Sequence, residues 1–192
     1  MTVCGVILAG GKSSRMGTNK ALLKIKEKTA IQHIVEELYY ICNQLIVVTN
    51  QPDEYKFLDL PLISDRYKDK GPLAGIETAM HHVRAETFFI AACDMPFINR
   101  KIYQYLYGQL YEYDAVVPNY DNQLHPLSGI YRKKALPTIQ KQIENNNLKV
   151  KSFFKELNVH YVDQFNGLTE GQLEKHFFNM NYPSQYIQAK DF

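Results

Sequence analysis

The chain has 192 residues, 45% of them hydrophobic, which suits one domain spanning 1–192 with a real core. A formal charge of +2 with no long basic run argues against a nucleic-acid partner, and no apolar stretch has the length a membrane span needs. Met1 leads directly into a strand-like run with no secretion leader, and Cys4, Cys42 and Cys93 are isolated without metal-ligand spacing, so a reduced, cytoplasmic setting is expected.

In chain order, Val3–Leu8 is a short apolar run that ends in Ala9-Gly10-Gly11 and reads as a buried strand entering a glycine turn. After a polar loop, Ile31, Ile34, Val35, Leu38 and Cys42 recur at helical spacing. Strands are expected at 45–48 and 60–63. Gly71-Pro72 then opens a helix with Leu73, Ile76, Ala79, Met80 and Val83 on its inner face, proline being suited to a first turn where its missing N–H costs nothing. A continuous buried strand at 88–92 ends at Cys93-Asp94. The second half is less regular: strands are expected at 115–118 and 127–131, and helices at 101–110 and 137–143. The alternation of strand and helix predicts an α/β fold, with a mostly parallel sheet covered by helices on both faces.

The segment from Leu8 to Leu23 carries Gly10, Gly11 and Gly17 together with Lys12, Arg15 and Lys20. Glycines let a backbone approach an anion and turn N–H groups towards it, and the cations add donors on the same loop. In a parallel sheet this loop leaves the carboxyl end of the first strand, where α/β folds place ligands. Together these features describe a phosphate cradle. The residue five places before Gly11 is Val6, so Gly11-Lys12-Ser13 is no Walker A loop, and no G-x-G-x-x-G spacing exists for a dinucleotide fingerprint.

A triphosphate that loses pyrophosphate needs a divalent cation, and Mg²⁺ takes hard oxygen ligands such as one carboxylate plus phosphates. Asp94 and Asp65 each close a predicted strand and converge on the edge that carries the glycine loop. A single aspartate there is ordinarily a turn or cap residue; two of them shift the reading towards a metal or nucleotide site, with Asp94 ranked first as the metal ligand. His81 and His82 read as surface groups, and His125 as a weak candidate for acceptor contact. Arg66, Lys68 and Lys70 are candidates for steering an anion, against the ordinary reading of a solvated loop.

These motifs resemble those of the molybdenum cofactor guanylyltransferases. Leu8-Ala9-Gly10-Gly11 through Arg15-Met16-Gly17 to Lys20-Ala21-Leu22-Leu23 is similar to their signature loop, Gly71-Pro72-Leu73-Ala74-Gly75 to their second motif, and Cys93-Asp94-Met95-Pro96-Phe97 to their metal-binding strand end. His125-Pro126-Leu127 with Gly129-Ile130-Tyr131, and Asn179-Met180-Asn181 with Pro183, resemble two later motifs.

The resemblance implies a Rossmann-like α/β domain of the nucleotide-diphospho-sugar transferase type. It would join GMP from GTP to molybdopterin with release of pyrophosphate. It implies contacts to the nucleotide from Leu8, Ala9, Gly10, Gly11, Lys20, Asp65 and Asp94, catalytic roles for Arg15, Lys20 and Asp94, Mg²⁺ on Asp94, and Gly75 and Asn181 on the acceptor side. It also implies transient docking to molybdoenzymes.

The family often has an aspartate where this chain has Asn19, and an asparagine after the second strand, near Thr49 or Asn50. The rivals are a molybdopterin cytidylyltransferase or sugar-phosphate transferase of the same fold, and a non-catalytic cofactor carrier. Paired Gly10-Gly11 favours guanine by analogy, and intact Lys20 and Asp94 favour an enzyme.

Overall fold

The computed structural model describes residues 2–10 and 18–192. The strand β1 (Val3–Leu8) is followed, after a 3-10 turn at Lys20–Leu22, by a short hairpin of β2 (Lys24–Ile25) and β3 (Lys28–Thr29). Next come α1 (Ala30–Tyr39), β4 (Gln44–Val48), β5 (Leu62–Ile63), α2 (Pro72–His82), β6 (Thr87–Ala92) and α3 (Arg100–Gly108). The remainder is β7 (Ala115–Tyr120), β8 (Gln123–Leu124), β9 (Ile130–Arg132), α4 (Leu136–Glu144), β10 (Val159–Val162), α5 (Glu170–Phe177) and α6 (Pro183–Lys190).

The main sheet runs β10-β7-β9-β6-β1-β4-β5, with β8 paired to β7 off this path. Its β6-β1-β4-β5 half is parallel throughout, so the carboxyl ends of these strands share one edge. β9 runs antiparallel to both β6 and β7, which makes the sheet mixed, and β10 pairs parallel to β7. Side chains of a strand alternate between faces, and here both faces are apolar. Ile7, Val47, Phe89 and Ala91 point to a core formed with α1, α3 and α5, whereas Val6, Leu8, Ile46 and Ile90 point to a second core formed with α2 and α4. The fold is the Rossmann-like α/β arrangement that the alternating pattern predicts.

The helices begin where local chemistry satisfies their free N–H groups. Gln32 Oε1 accepts from Thr29 N at 2.8 Å to start α1, Asn99 Oδ1 accepts from Lys101 N at 2.9 Å to start α3, and Gln172 Oε1 accepts from Thr169 N at 2.9 Å to start α5. Gly71 precedes α2 with φ of +69°, a left-handed conformation that glycine adopts without strain, and Pro72 then supplies the first helical position.

Several boundaries differ from the sequence pattern for identifiable reasons. Strand pairing starts only at Leu62 because Pro61 has no N–H; its carbonyl accepts from Val47 N at 2.9 Å instead. The first helix ends at Tyr39, and Cys42 continues to pack against the core from beyond it. The strand expected at 127–131 is displaced: Pro126–Ser128 forms a 3-10 turn with Pro126 at its start, and the ladder begins at Ile130. The hairpin, β8, β10, α5 and α6 carry little periodic signal and are found only in the structure.

α5 is fastened through His176, which is fully buried, to the start of α3 and to the turn before β9. Its Nδ1 accepts from Asn99 N at 2.8 Å, which leaves the proton on Nε2, 2.7 Å from Ser128 Oγ. Burial, with a smaller contribution from nearby His125, lowers its pKa to about 3. The unfolded chain therefore binds a proton at this residue below about pH 6.5 while the native protein does not, so stability is full above that pH and falls as the pH drops. We expect the stability advantage of the wild type over His176→Gln, measured by urea unfolding, to shrink by up to about 1.4 kcal/mol per pH unit between about pH 6.5 and pH 4. Parallel pH curves for the two proteins would contradict a neutral buried imidazole.

Candidate active site

The parallel half of the sheet delivers its strand ends to a cleft of about 1050 Å³. Its lining includes Gly10 after β1, Asn50 after β4, Asp65 after β5 and Asp94 after β6, the location that α/β sheets favour for ligands. The ladder holds these ends in register: Ala9 N donates to Val48 O at 2.9 Å, Thr49 N to Ile63 O at 2.9 Å, and Cys93 N to Leu8 O at 3.2 Å. Across the edge the order is Asp94, Gly10, Asn50, Asp65. At about 4.8 Å per strand, the ends of β6 and β5 stand roughly 14 Å apart along the edge.

Lys20, Asp94 and Asn181 meet on the β6 side. Lys20 Nζ donates to Asp94 Oδ2 at 3.0 Å and to Asn181 Oδ1 at 2.8 Å. Both partners of the ion pair are about one fifth exposed (19% and 22%), so the pair adds little to stability. Its groups remain accessible from the cleft. Lys20 is presented by Asn19, whose Oδ1 accepts from Ala21 N at 3.1 Å while its Nδ2 donates to Glu54 Oε2 at 2.5 Å and to Tyr55 Oη at 2.8 Å. An aspartate at position 19 would set a second carboxylate against Glu54, so the amide at Asn19 and the carboxylate at Glu54 are matched.

Asn181 reaches the site from the far end of the chain. Met180 N donates to Asp94 O at 2.7 Å, and Gln185 Oε1 accepts from Asn181 N at 2.7 Å and Tyr182 N at 3.0 Å. Buried Met180 packs with Ile25, Ala30 and Ala189, so the hairpin and α6 form a small satellite core beneath the segment. Tyr186 Oη donates to Lys24 O at 2.9 Å and closes this support.

Asn50 and Asp65 form the other side. Asn50 Nδ2 donates to Asp65 Oδ2 at 2.9 Å, and Asp65 N donates to Asn50 Oδ1 at 3.1 Å. Asp65 Oδ1 is buried and accepts nothing from the described residues. Desolvation by burial raises the Asp65 pKa, and the bond from Asn50 partly offsets that. Gly75 packs beside this pair: a Cβ there would lie 2.8 Å from Leu8 Cδ2 and 3.6 Å from Asp65 Oδ1.

The residues singled out in the sequence thus fall mostly in one place. Leu8, Ala9, Gly10, Lys20, Asp65, Gly75 and Asp94 line the cleft, and Asn181 is bonded to Lys20. Arg15 and Gly11 lie outside the described residues. Gly75, which the resemblance places on the acceptor side, abuts Leu8 and Asp65. His81 and His82 are exposed, whereas His125 packs against Phe177 with the rings tilted. Glu54 and the capping role of Asn19 escaped the sequence reading. Asn50 was noted only as near a position where the family carries an asparagine, and the structure brings it to the edge because it follows a strand just as Asp65 and Asp94 do. Among the described residues no group of three or more His, Cys, Asp or Glu could hold a metal by itself. A single carboxylate facing a cleft is the donor set of an ion that also uses substrate phosphates, as Mg²⁺ does.

Residues 5–161 match the MobA-like NTP transferase domain. The chain is 41% identical over 181 residues to a probable molybdenum cofactor guanylyltransferase of Carboxydothermus hydrogenoformans, covering 94% of this chain and 91% of that protein. Its structure superposes on molybdopterin-guanine dinucleotide biosynthesis protein A of Archaeoglobus fulgidus with a TM-score of 0.83 and 25% identity, covering 98% of this chain and 97% of the other. At 10% identity, and therefore for the fold alone, it also matches a 2-C-methyl-D-erythritol 4-phosphate cytidylyltransferase of Thermus thermophilus with a TM-score of 0.71, covering 97% and 96% of the two chains. The protein is a nucleotidyltransferase. It belongs to the molybdenum cofactor guanylyltransferase family.

The Gly75 contact gives a direct test of the cleft. In Gly75→Ala the new methyl forces the Leu8 side chain, which lines the cleft, to shift, while alanine suits the helix better than glycine. We expect the nucleotide dissociation constant, measured by calorimetry, to rise about tenfold, equivalent to about 1.4 kcal/mol, with the unfolding midpoint nearly unchanged. Unchanged affinity would place the nucleotide away from Leu8 and Gly75.

Proposed function

We propose that the protein transfers GMP from GTP to the terminal phosphate of molybdopterin, releasing pyrophosphate and forming molybdopterin guanine dinucleotide. The observation that carries this reading is the convergence of Lys20, Asp94 and Asn181 on the sheet edge that also carries the Asn50–Asp65 pair. The separation of roughly 14 Å suits a nucleotide lying along the edge, with its base near Asp65 and its phosphates near Lys20. The 41% identical relative named as a guanylyltransferase supports the same substrates.

Guanine offers two neighbouring donors, N1–H and the N2 amine, and Asp65 offers a carboxylate on the cleft lining, held by Asn50. A carboxylate fixed to accept from two donors discriminates against a base that lacks them. At the other end, Lys20 Nζ exchanges Asp94 and Asn181 for phosphate oxygens, and its charge offsets the charge that builds on the departing pyrophosphate. Arg15, on the same loop, is assigned the same task. Asp94 would hold Mg²⁺, which would supply further charge neutralisation on the phosphates. Asn181, once parted from Lys20, is left facing the acceptor.

The chemistry is one in-line displacement. A phosphate oxygen of molybdopterin forms a bond to the α-phosphorus as the bond from that phosphorus to the bridging oxygen breaks, and pyrophosphate leaves with the electron pair. The nucleophile is already an anion, so no protein base and no covalent intermediate is needed. A cytoplasmic location and transient docking to the molybdoenzymes that receive the product belong to the same proposal. Among the described residues no helix is long and apolar enough to cross a membrane, and the three cysteines are free.

Thermal unfolding with GTP, CTP, ATP and UTP, each with and without Mg²⁺, tests the nucleotide assignment. A ligand at about 100 times its dissociation constant adds about 2.7 kcal/mol, or a rise of roughly 5–11 °C for a domain of this size. We expect the largest rise with GTP and Mg²⁺; a larger one with CTP would move the protein to the cytidylyltransferase branch. For Asp94→Ala we expect a loss of turnover of at least about 100-fold, or 2.7 kcal/mol of barrier, with the fold retained. A well-folded, active Asp94→Ala enzyme would refute the assignment.

A further inference from the structure

The loop that presents Asp65 is fastened to α2 by charged groups that play no part in the reaction. Every residue from Leu73 to Met80 in α2 is buried, Glu77 among them at 0% exposure. The Glu77 carboxylate forms an ion pair with Arg66 Nη1 through Oε1, and the same oxygen accepts from Gln140 Nε2 of α4 at 2.8 Å. The neighbouring Thr78 Oγ1 accepts from the backbone N of Arg66 at 2.9 Å. Arg66 directly follows Asp65. Two consecutive backbone N–H groups, those of Asp65 and Arg66, are therefore each held by a side chain, Asn50 from the end of β4 and Thr78 from α2.

Stability does not explain this arrangement. Glu77 loses its hydration on burial while Arg66 stays one third exposed, and an apolar residue in place of a buried carboxylate often does as well or better. Glu77 Oε2 is moreover buried without a partner among the described residues, a further cost. What the pair does accomplish is geometric. It draws Arg66 down onto α2 and so fixes where the preceding carboxylate points. It also occupies a guanidinium that would otherwise be free one residue from Asp65. The exposed basic loop is thus tied down at Arg66, and Lys70 donates to Asn146 Oδ1 at 2.7 Å at the surface.

We propose that Arg66 and Glu77 are positioning residues that set guanine affinity and selectivity by holding the Asp65 carboxylate in place, without touching the nucleotide. The inference rests on the nucleotide reading given above, and it adds residues on α2 and its neighbouring loop to the determinants of base choice.

The test separates positioning from plain stability by using Arg66→Met, Glu77→Leu and the double variant. Arg66→Met leaves the buried Glu77 carboxylate unmatched and should lower the unfolding midpoint, whereas Glu77→Leu strands only a partly exposed guanidinium and the double variant should recover the midpoint. Calorimetric titration with Mg²⁺ and either GTP or inosine triphosphate, which lacks the N2 amine, then gives affinity and selectivity. We expect the double variant to bind GTP at least tenfold more weakly than wild type and to prefer GTP over inosine triphosphate by a smaller ratio.

A double variant with wild-type GTP affinity would overturn the proposal, as would equal weakening for both nucleotides, which would locate the effect at the phosphates. If the double variant does not fold, Thr78→Val removes the backbone anchor without touching a charge, and the same pair of readouts decides. Wild-type protein that binds no nucleotide would instead refute the nucleotide reading itself.

Discussion

Lys20 and Asp94 are separated by 74 residues of sequence and joined by a contact of 3.0 Å. That contact exists only because β1 and β6 lie side by side and in parallel, with Leu8 opposite Ala92, so that the chain leaves both strands at the same edge. Everything else in the cleft is arranged around this constraint. The β4 and β5 strands extend the same parallel block outward and bring Asn50 and Asp65 to the same edge, while α2 covers the face below them. A sheet buried on both faces resists slippage, because a shift of one residue would turn each strand's apolar set to the wrong layer.

The two ends of the cleft are supported differently. At the Asp94 end Lys20, Asp94 and Asn181 are bonded mainly to one another and the ion pair is partly exposed, so an incoming ligand can replace these contacts at little cost. That end also depends on the last stretch of the chain, since Met180 bonds to the Asp94 carbonyl and α6 rests on the small hairpin. At the Asp65 end the loop is tied down at several points: Asn50 bonds to Asp65, while buried Thr78 and Glu77 of α2 hold the backbone and side chain of Arg66, and Gln140 bonds to Glu77. Fixed placement of an acceptor suits recognition of a base, and exchangeable contacts suit a centre where phosphate charge moves.

Much of this was legible in the sequence, for physical reasons. Continuous apolar runs such as Val3–Leu8 mark strands buried on both faces, Gly71-Pro72 marks a helix start, and an aspartate directly after such a run must sit at the sheet edge. The fold class and the positions of Gly10, Lys20, Asp65 and Asp94 follow from those signals. What stayed hidden depends on partners distant in sequence. Glu77 occupies a helical position next to Ile76 and looks like a solvent-facing charge until Arg66 and Gln140 are brought against it. The short strands β8 and β10 have no periodicity to read, and α6 is only weakly amphipathic, so its role under Asn181 emerges only from the packing of Met180 and Ala189. The strand expected at 127–131 was misplaced because Pro126 forces a turn before the ladder can begin.

The central claim, that one edge of the sheet binds GTP and passes its nucleotide to a pterin phosphate, is most directly tested by product analysis. The protein would be incubated with molybdopterin, Mg²⁺ and an equimolar mixture of GTP and CTP, with pyrophosphate release followed and the pterin product identified by mass. The account predicts pyrophosphate formed in step with molybdopterin guanine dinucleotide and little or no cytosine product. A cytosine dinucleotide as the main product, or pyrophosphate release that does not depend on molybdopterin, would contradict it.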